Sequence, residues 1–130
     1  MDCPDCGADL LAFPVSASDR ELLPGSEPGA ALCTQCLGLH PVTDPPAEPP
    51  DLQRLSTAFP ADTDAAVPLA LLVGLLDSLA LYREELSTLL ARVERAGTDP
   101  LLALDRLAAD SDLDPAVDLE TRRHQLAQLL

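Results

Sequence analysis

Cys3-Pro4-Asp5-Cys6-Gly7 lies at the start of the sequence, and Cys33-Thr34-Gln35-Cys36 follows after 26 intervening residues. Two C-x-x-C pairs are typical of a tetrahedral thiolate site for Zn²⁺. One tight turn can then aim both sulfurs of a pair at a point about 2.3 Å away, with backbone N–H groups supporting the thiolates. Gly7 supplies the positive φ that such a turn often needs. Four protein sulfurs leave no position for water or substrate, which predicts one structural zinc ion. The predicted ligands are Cys3, Cys6, Cys33 and Cys36.

Three other uses of these cysteines stay open. A redox dithiol normally lies at a helix start in a βαβ context, and the sequence has no such pattern. Disulfides suit a secreted chain, but the first residues show no basic segment followed by an apolar run. Another metal, such as iron, can also bind four thiolates. We therefore predict zinc in a cytoplasmic protein, where thiols stay reduced.

Residues 1–44 predict a zinc ribbon. Short antiparallel strands are expected at 8–13, 30–32 and 39–42, with one helical turn near 18–23 in the proline-containing loop between the first two strands. Strands this short cannot support themselves. Metal binding, which supplies about 10–16 kcal/mol in such sites, counts as folding energy and is expected to stabilise them.

A proline-rich spacer and a helical region are predicted to follow. Residues 45–50 include four prolines and should be an extended linker. Residues 51–130 predict a helical bundle, so the overall class is α+β. The helices are expected at 51–59, from an N-cap at Asp64 to Leu81, at 82–96, at 100–109, and from Asp114 or Asp118 to the last residues. Whether residues 64–96 form one helix or two stays open.

The net charge is −14, with 22 acidic residues against 8 basic ones, and lysine is absent. Such an excess of like charge repels itself in dilute buffer. At about 1 M salt the Debye length falls to about 3 Å and the repulsion is screened. We therefore predict adaptation to a salt-rich cytoplasm. The alternative, an acidic protein that mimics nucleic acid, stays open but explains the missing lysine less well.

Charge also bears on nucleic-acid binding, which is common among zinc ribbons. Residues 1–45 carry seven acidic side chains and one basic one, Arg20, giving 1 − 7 = −6. Phosphate binding needs cations that displace counterions, and single-strand binding needs aromatic platforms. The predicted ribbon offers one arginine and one phenylalanine. The charge therefore argues against nucleic-acid binding. A transcription- or RNA-associated ribbon is kept as the second interpretation.

No phosphate-binding glycine loop, H-E-x-x-H motif or nucleophile elbow is present, so we expect no enzyme activity. Ser78 and Asp77 could be grouped with His124, but adjacent helical residues point about 100° apart. His40, four residues after Cys36, is expected to lie on the ribbon surface or in its core, outside the site.

The stretch Leu69–Leu81 is apolar nearly all round and predicts burial in a protein partner or a second copy of the chain. No membrane span is expected, because the longest uncharged apolar run is too short.

Several stretches together resemble a family of small uncharacterised haloarchaeal proteins. They are the opening Met-Asp-Cys-Pro-Asp-Cys-Gly, the knuckle Leu-Cys-Thr-Gln-Cys-Leu, the proline run, and Gly-Leu-Leu-Asp-Ser-Leu-Ala-Leu-Tyr-Arg at residues 74–83. The resemblance covers nearly the whole chain. It implies an N-terminal zinc ribbon, a helical C-terminal part and a halophilic origin, and it implies no known activity. The leading hypothesis is a non-enzymatic, zinc-stapled interaction or adaptor module, with nucleic-acid binding or redox chemistry as the alternatives.

Overall fold

The computed structural model of the chain describes residues 1–129, which contain a small antiparallel sheet and five α-helices. The strands are β1 (Leu10–Pro14), β2 (Gly29–Cys33) and β3 (Leu39–Val42), in the order β1-β2-β3. Leu10 is opposite Cys33, and Leu32 is opposite Leu39. This register brings the segment before β1 and the turn between β2 and β3 to the same end of the sheet. The expected antiparallel strands are confirmed.

The helices are α1 (Ala17–Arg20), α2 (Thr63–Leu75), α3 (Arg83–Arg95), α4 (Pro100–Ala109) and α5 (Leu119–Ala127). The N-cap predicted at Asp99 is confirmed, and of the two starts left open for the last helix, Asp118 is the N-cap. The Asp99 carboxylate accepts hydrogen bonds from the Leu101 and Leu102 N–H groups, and Asp118 accepts from Thr121. Gly97, with φ at +95°, ends α3 as expected. The predicted last apolar residue, Leu130, lies outside the described residues.

Residues 64–96 form two α-helices, which answers the question that the sequence left open. α2 ends at Leu75, and a 3₁₀ turn at Leu76–Ser78 follows. The predicted end at Leu81 is wrong, because the Ser78 carbonyl accepts hydrogen bonds from the Leu81 and Tyr82 N–H groups and turns the chain. The N-cap of α2 is Asp62 and not Asp64, since the Asp62 carboxylate accepts from the Asp64 N–H at 3.0 Å.

The helix predicted over residues 51–59 is reduced to a 3₁₀ turn at Leu52–Arg54. Ser56 explains the difference. Its side chain is buried, donates to the Asp110 Oδ2 at 2.7 Å and accepts from the Ala58 N–H. A serine that bonds to local backbone in this way competes with a helix.

The hydrophobic core is continuous between the sheet and the helices. One cluster contains sheet residues, such as Phe13 and Leu32, together with helical residues, such as Leu72 and Leu90. Pro45, in the predicted linker, lies against β2, where a Cβ on Gly29 would come within 2.4 Å of the Pro45 Cβ. The division into residues 1–44, 45–50 and 51–130 stays a prediction, but the first and last parts pack on each other.

An ion pair with a buried carboxylate links the sheet side of the fold to α3. The carboxylate of Asp19 in α1 pairs with the guanidinium of Arg92, and only 7% of Asp19 is exposed. Neither residue lies in a recognisable motif, so nothing in the sequence signals this pair. The contact fixes the loop between β1 and β2 against the helices.

α2 is buried on nearly every side by the rest of the chain. It packs against α3, β3 and the 3₁₀ turn at Leu52–Arg54. Its residues Leu69, Leu71 and Leu72 are each 0% exposed. Among the large apolar residues of the stretch Leu69–Leu81, Leu81, which lies beyond the helix, is the exposed one, at 72%. The apolar surface that motivated a protein partner is thus covered within the chain, and the partner itself stays a prediction.

Among the described residues, no helix combines the length and apolar character needed to cross a membrane.

Candidate metal centre

Two turns of the same geometry carry the four cysteines. In the first, the Cys3 N–H donates to the Ala8 carbonyl at 2.7 Å, and the Gly7 N–H donates to the Cys3 carbonyl at 2.9 Å. In the second, the Cys33 N–H donates to the Gly38 carbonyl at 2.9 Å, and the Leu37 N–H donates to the Cys33 carbonyl at 3.2 Å. We call these turns the first knuckle (residues 3–8) and the second knuckle (residues 33–38).

Both knuckles need a positive φ at the same place. Gly7 has φ at +81°, which agrees with the role expected for it from the sequence. The equivalent residue of the second knuckle is Leu37, at +63°. A residue with a Cβ pays about 1–2 kcal/mol to adopt this conformation. The Leu37 side chain is 4% exposed and belongs to the main hydrophobic core, so its burial offsets that strain.

The structure brings the four predicted sulfurs to one point. They all lie within 4.8 Å of one another. The Cys3 and Cys36 sulfurs are 3.7 Å apart, and those of Cys6 and Cys33 are 3.4 Å apart. A tetrahedron with metal–sulfur bonds of about 2.3 Å has edges of roughly 3.8 Å. The donor set and its spacing therefore fit a tetrathiolate metal site, and all four residues are free cysteines.

Three of the four cysteines are buried, whereas Cys6 is exposed. Cys3, Cys33 and Cys36 form a small cluster with Ala8 and Leu10, separate from the main core. Zinc bound to four thiolates carries a charge of −2, so a site sheltered from water needs hydrogen-bond donors around its sulfurs.

Backbone N–H groups supply such donors. The N–H groups of Gln35 and Cys36 each lie 3.4 Å from the Cys33 sulfur. Burial raises the pKa of the Cys33 thiol, but these N–H groups, together with the sulfurs of Cys6 and Cys36, lower it by more, to a net value of about 7. The pKa of Cys3 is also lowered: burial opposes the change, and the N–H groups of Asp5 and Cys6 favour it. The first cysteine of each knuckle is therefore supported as a thiolate.

Cys36 differs, because burial and its neighbouring sulfurs raise the pKa of its thiol to about 12. The backbone N–H of Gly38 acts in the opposite direction and does not compensate. Four thiols at this spacing do not ionise independently, since each thiolate disfavours the next. A bound divalent cation reverses that effect for all of them.

His40 lies beside the cluster, closer than the sequence indicated. Its Nε2 is 3.6 Å from the Cys3 sulfur and 4.0 Å from the Asp5 Oδ2. The side chain is 21% exposed. Because a thiolate only accepts hydrogen bonds, the Nε2–H is the donor when Cys3 is ionised. The spacing of His40 in the sequence gave no signal of this contact, which depends on the antiparallel pairing of β3 with β2.

The other polar candidates do not form a cluster with the cysteines. Asp77 and His124 are exposed on the surface, and Ser78 lies in the 3₁₀ turn after α2. The described residues therefore concentrate their metal-binding chemistry at the knuckles. The absence of enzyme activity stays a prediction.

A four-cysteine cluster at the end of a three-stranded antiparallel sheet is consistent with a zinc ribbon, here packed against helices. The chain belongs to DUF6276, a family of unknown function whose sequence profile matches residues 2–130. No curated protein and no solved structure matched the chain.

Proposed function

We propose that the chain is a non-enzymatic zinc-ribbon protein in which Cys3, Cys6, Cys33 and Cys36 hold one structural Zn²⁺. The observation that carries the proposal is the convergence of four sulfurs from two distant segments to within 4.8 Å of one another. Zinc is favoured among metals because four thiolates in tetrahedral geometry, with no open position, suit its structural sites.

The residues around the cluster support a structural role. The three strands have five, five and four residues, which is too short for independent stability. A metal that joins the two knuckles stabilises the end of the sheet where β1, β2 and the β2–β3 turn meet. The energy of metal binding then becomes folding energy, because the unfolded chain has no preformed site.

Metal analysis tests this proposal directly. We expect the purified protein to contain one zinc per chain, and its cobalt form to show the absorption of a tetrahedral tetrathiolate site. Cys33→Ser should lose the metal and unfold, because it removes a buried ligand. Thr34→Ser is the matched control: it changes the neighbouring residue of the same knuckle and keeps a hydroxyl that can donate to the Asp9 carbonyl. A folded protein without metal, in its native state, contradicts the proposal.

The proposed setting is a salt-rich cytoplasm. It is supported by the net charge of −14 and by the presence of arginine as the only basic residue apart from two histidines. Reduced thiols, which the metal site needs, fit the same setting.

An interaction or adaptor role is the second half of the proposal. Because α2 is covered within the chain, the structural support for this role is the side chain of Leu81, which is 72% exposed just beyond that helix. A homo-oligomer or a protein partner should be detected in about 1 M KCl, where charge repulsion is screened. Light scattering measures the mass of the particle, and affinity capture at the same salt identifies a partner. A strictly monomeric protein that captures no partner contradicts this role.

The two alternatives receive less support. The one basic side chain among residues 1–45, Arg20, donates its Nε–H to the Val15 carbonyl at 3.0 Å, which leaves the ribbon side poorly suited to phosphate. Redox C-x-x-C cysteines lie at helix starts. Here both pairs lie in turns beside strands.

A further inference from the structure

We infer that the second knuckle is also the docking surface for the loop between α4 and α5, so that metal binding and docking of residues 112–116 stabilise each other. The inference rests on the proposed zinc function and names Gln35, between the two cysteines of that knuckle, as the positioning residue. It is independent of any partner.

Three hydrogen bonds join the loop to the knuckle across about 80 residues of sequence. The Asp114 N–H donates to the Gln35 carbonyl at 2.9 Å, and the Ala116 N–H donates to the Cys36 carbonyl at 3.1 Å. The third hydrogen bond runs in the opposite direction, from the Gln35 Nε2 of the knuckle to the Asp112 carbonyl of the loop, at 3.1 Å. Two backbone carbonyls of the knuckle thus accept hydrogen bonds from N–H groups of the loop, and one of these carbonyls belongs to Cys36, a predicted metal ligand.

The loop is shaped to reach these acceptors. The Asp110 carboxylate accepts from the Asp112 N–H at 2.9 Å, and the Asp110 carbonyl accepts from the Leu113 N–H at 3.2 Å. This turn directs residues 114–116 toward the knuckle. Leu113 is 8% exposed and belongs to the main core, which fixes the position of the loop between its two ends.

The knuckle offers both carbonyls in the correct direction only while its turn is closed. Two backbone hydrogen bonds close the turn, and a bound metal holds it closed further by joining Cys33 and Cys36 to the sulfurs of the first knuckle. Removal of the metal therefore loosens the docking surface. Because linked equilibria are reciprocal, weakening the docked loop must also weaken metal retention.

Charge makes this coupling dependent on salt. The loop carries Asp110, Asp112 and Asp114, and the filled site would carry −2, so the two repel each other in dilute buffer. The hydrogen bonds hold the loop against this repulsion. At about 1 M KCl the repulsion is screened, and the contribution of the hydrogen bonds can be measured without it.

The test is the rate at which zinc passes to a chromogenic chelator in 1 M KCl, after the metal content of each protein has been measured. Ala116→Pro removes the N–H that donates to Cys36, and its matched control, Ala116→Ser, keeps it. Gln35→Ala removes the bond to Asp112, and its matched control, Thr34→Ser, changes the neighbouring residue and keeps the hydroxyl that bonds to the Asp9 carbonyl. We expect Ala116→Pro and Gln35→Ala to release zinc about 2- to 10-fold faster than their controls, since each lacks one hydrogen bond.

Hydrogen exchange gives a second measurement. In the metal-bound Gln35→Ala protein, the amides of residues 112–117 other than Pro115 should exchange faster than in Thr34→Ser, while those of α3 stay unchanged. Equal zinc release and equal exchange in variants and controls overturn the inference and leave the zinc site intact. A folded protein that binds no zinc at all overturns both this inference and the proposed function.

Discussion

At the scale of single residues, His40 is the clearest case of a side chain whose role depends on the fold. The sequence placed it outside the metal site, because four cysteines already complete a tetrahedral centre. In the structure its Nε2 is 3.6 Å from the Cys3 sulfur. A donor at this distance can offset part of the negative charge of a tetrathiolate site.

Replacement of His40 tests this role. We expect His40→Ala to lose zinc to a competing chelator about 10-fold faster than wild type, which is the lower end of the range for residues that support metal ligands. His124→Ala is the matched control, because His124 is exposed and does not belong to the groups of metal-binding side chains around the cysteines. Equal zinc retention in the two variants would show that the Cys3–His40 contact does not support the site.

Leu37 shows a second limit of sequence reasoning at this scale. Gly7 signalled a positive φ because glycine favours it, and the structure agrees. Leu37 adopts a positive φ at the equivalent position of the other knuckle, and no sequence rule indicates this for leucine. The hydrophobic core decides it, by holding the leucine side chain inside.

At the scale of elements, α2 and β3 approach each other closely at Gly74. A Cβ at this position would come within 2.4 Å of the Leu39 Cβ. The sequence suggested only a helix with an interior glycine, which normally weakens a helix by about 1 kcal/mol. In the structure, the absence of a side chain at Gly74 lets α2 pack closely on β3, the edge strand of the sheet.

Substitution of Gly74 measures this contact. Gly74→Ala should lower the free energy of unfolding by about 1–3 kcal/mol, because the clash with Leu39 outweighs the gain in helix propensity. The same substitution in a Leu39→Ala background should cost less, since the clashing side chain is then absent. Urea unfolding of the four proteins gives the coupling between the two sites. Additive effects would mean that α2 does not pack on β3 as described.

At the scale of the whole molecule, the ribbon side and the helical side behave as one folded unit. A shared core, the Asp19–Arg92 ion pair and the contact of the α4–α5 loop with the second knuckle join them. The net charge of −14 acts against this compact arrangement, because the acidic groups repel one another at short range.

Salt should therefore stabilise the protein. We expect the urea midpoint of unfolding to rise steadily as KCl increases from about 0.01 M to about 1 M, while the Debye length falls from about 30 Å to about 3 Å. Circular dichroism follows the helices during the titration. The metal content is measured at each salt concentration, which separates screening from zinc loss. A midpoint that is flat or falls with salt contradicts the argument from charge.

Much of the fold and the candidate site followed from local chemistry. The cysteine spacing singled out the four residues that converge. The strands, the helix cap at Asp99, Asp118 as one of two possible caps, and the end of α3 at Gly97 could be predicted because each depends on neighbouring residues. The tertiary structure alone decided how α2 ends, why residues 51–59 do not form a helix, and where His40, Asp19 and the loop at 112–116 lie. These features depend on contacts between segments far apart in the chain, and local spacing carries no information about such contacts.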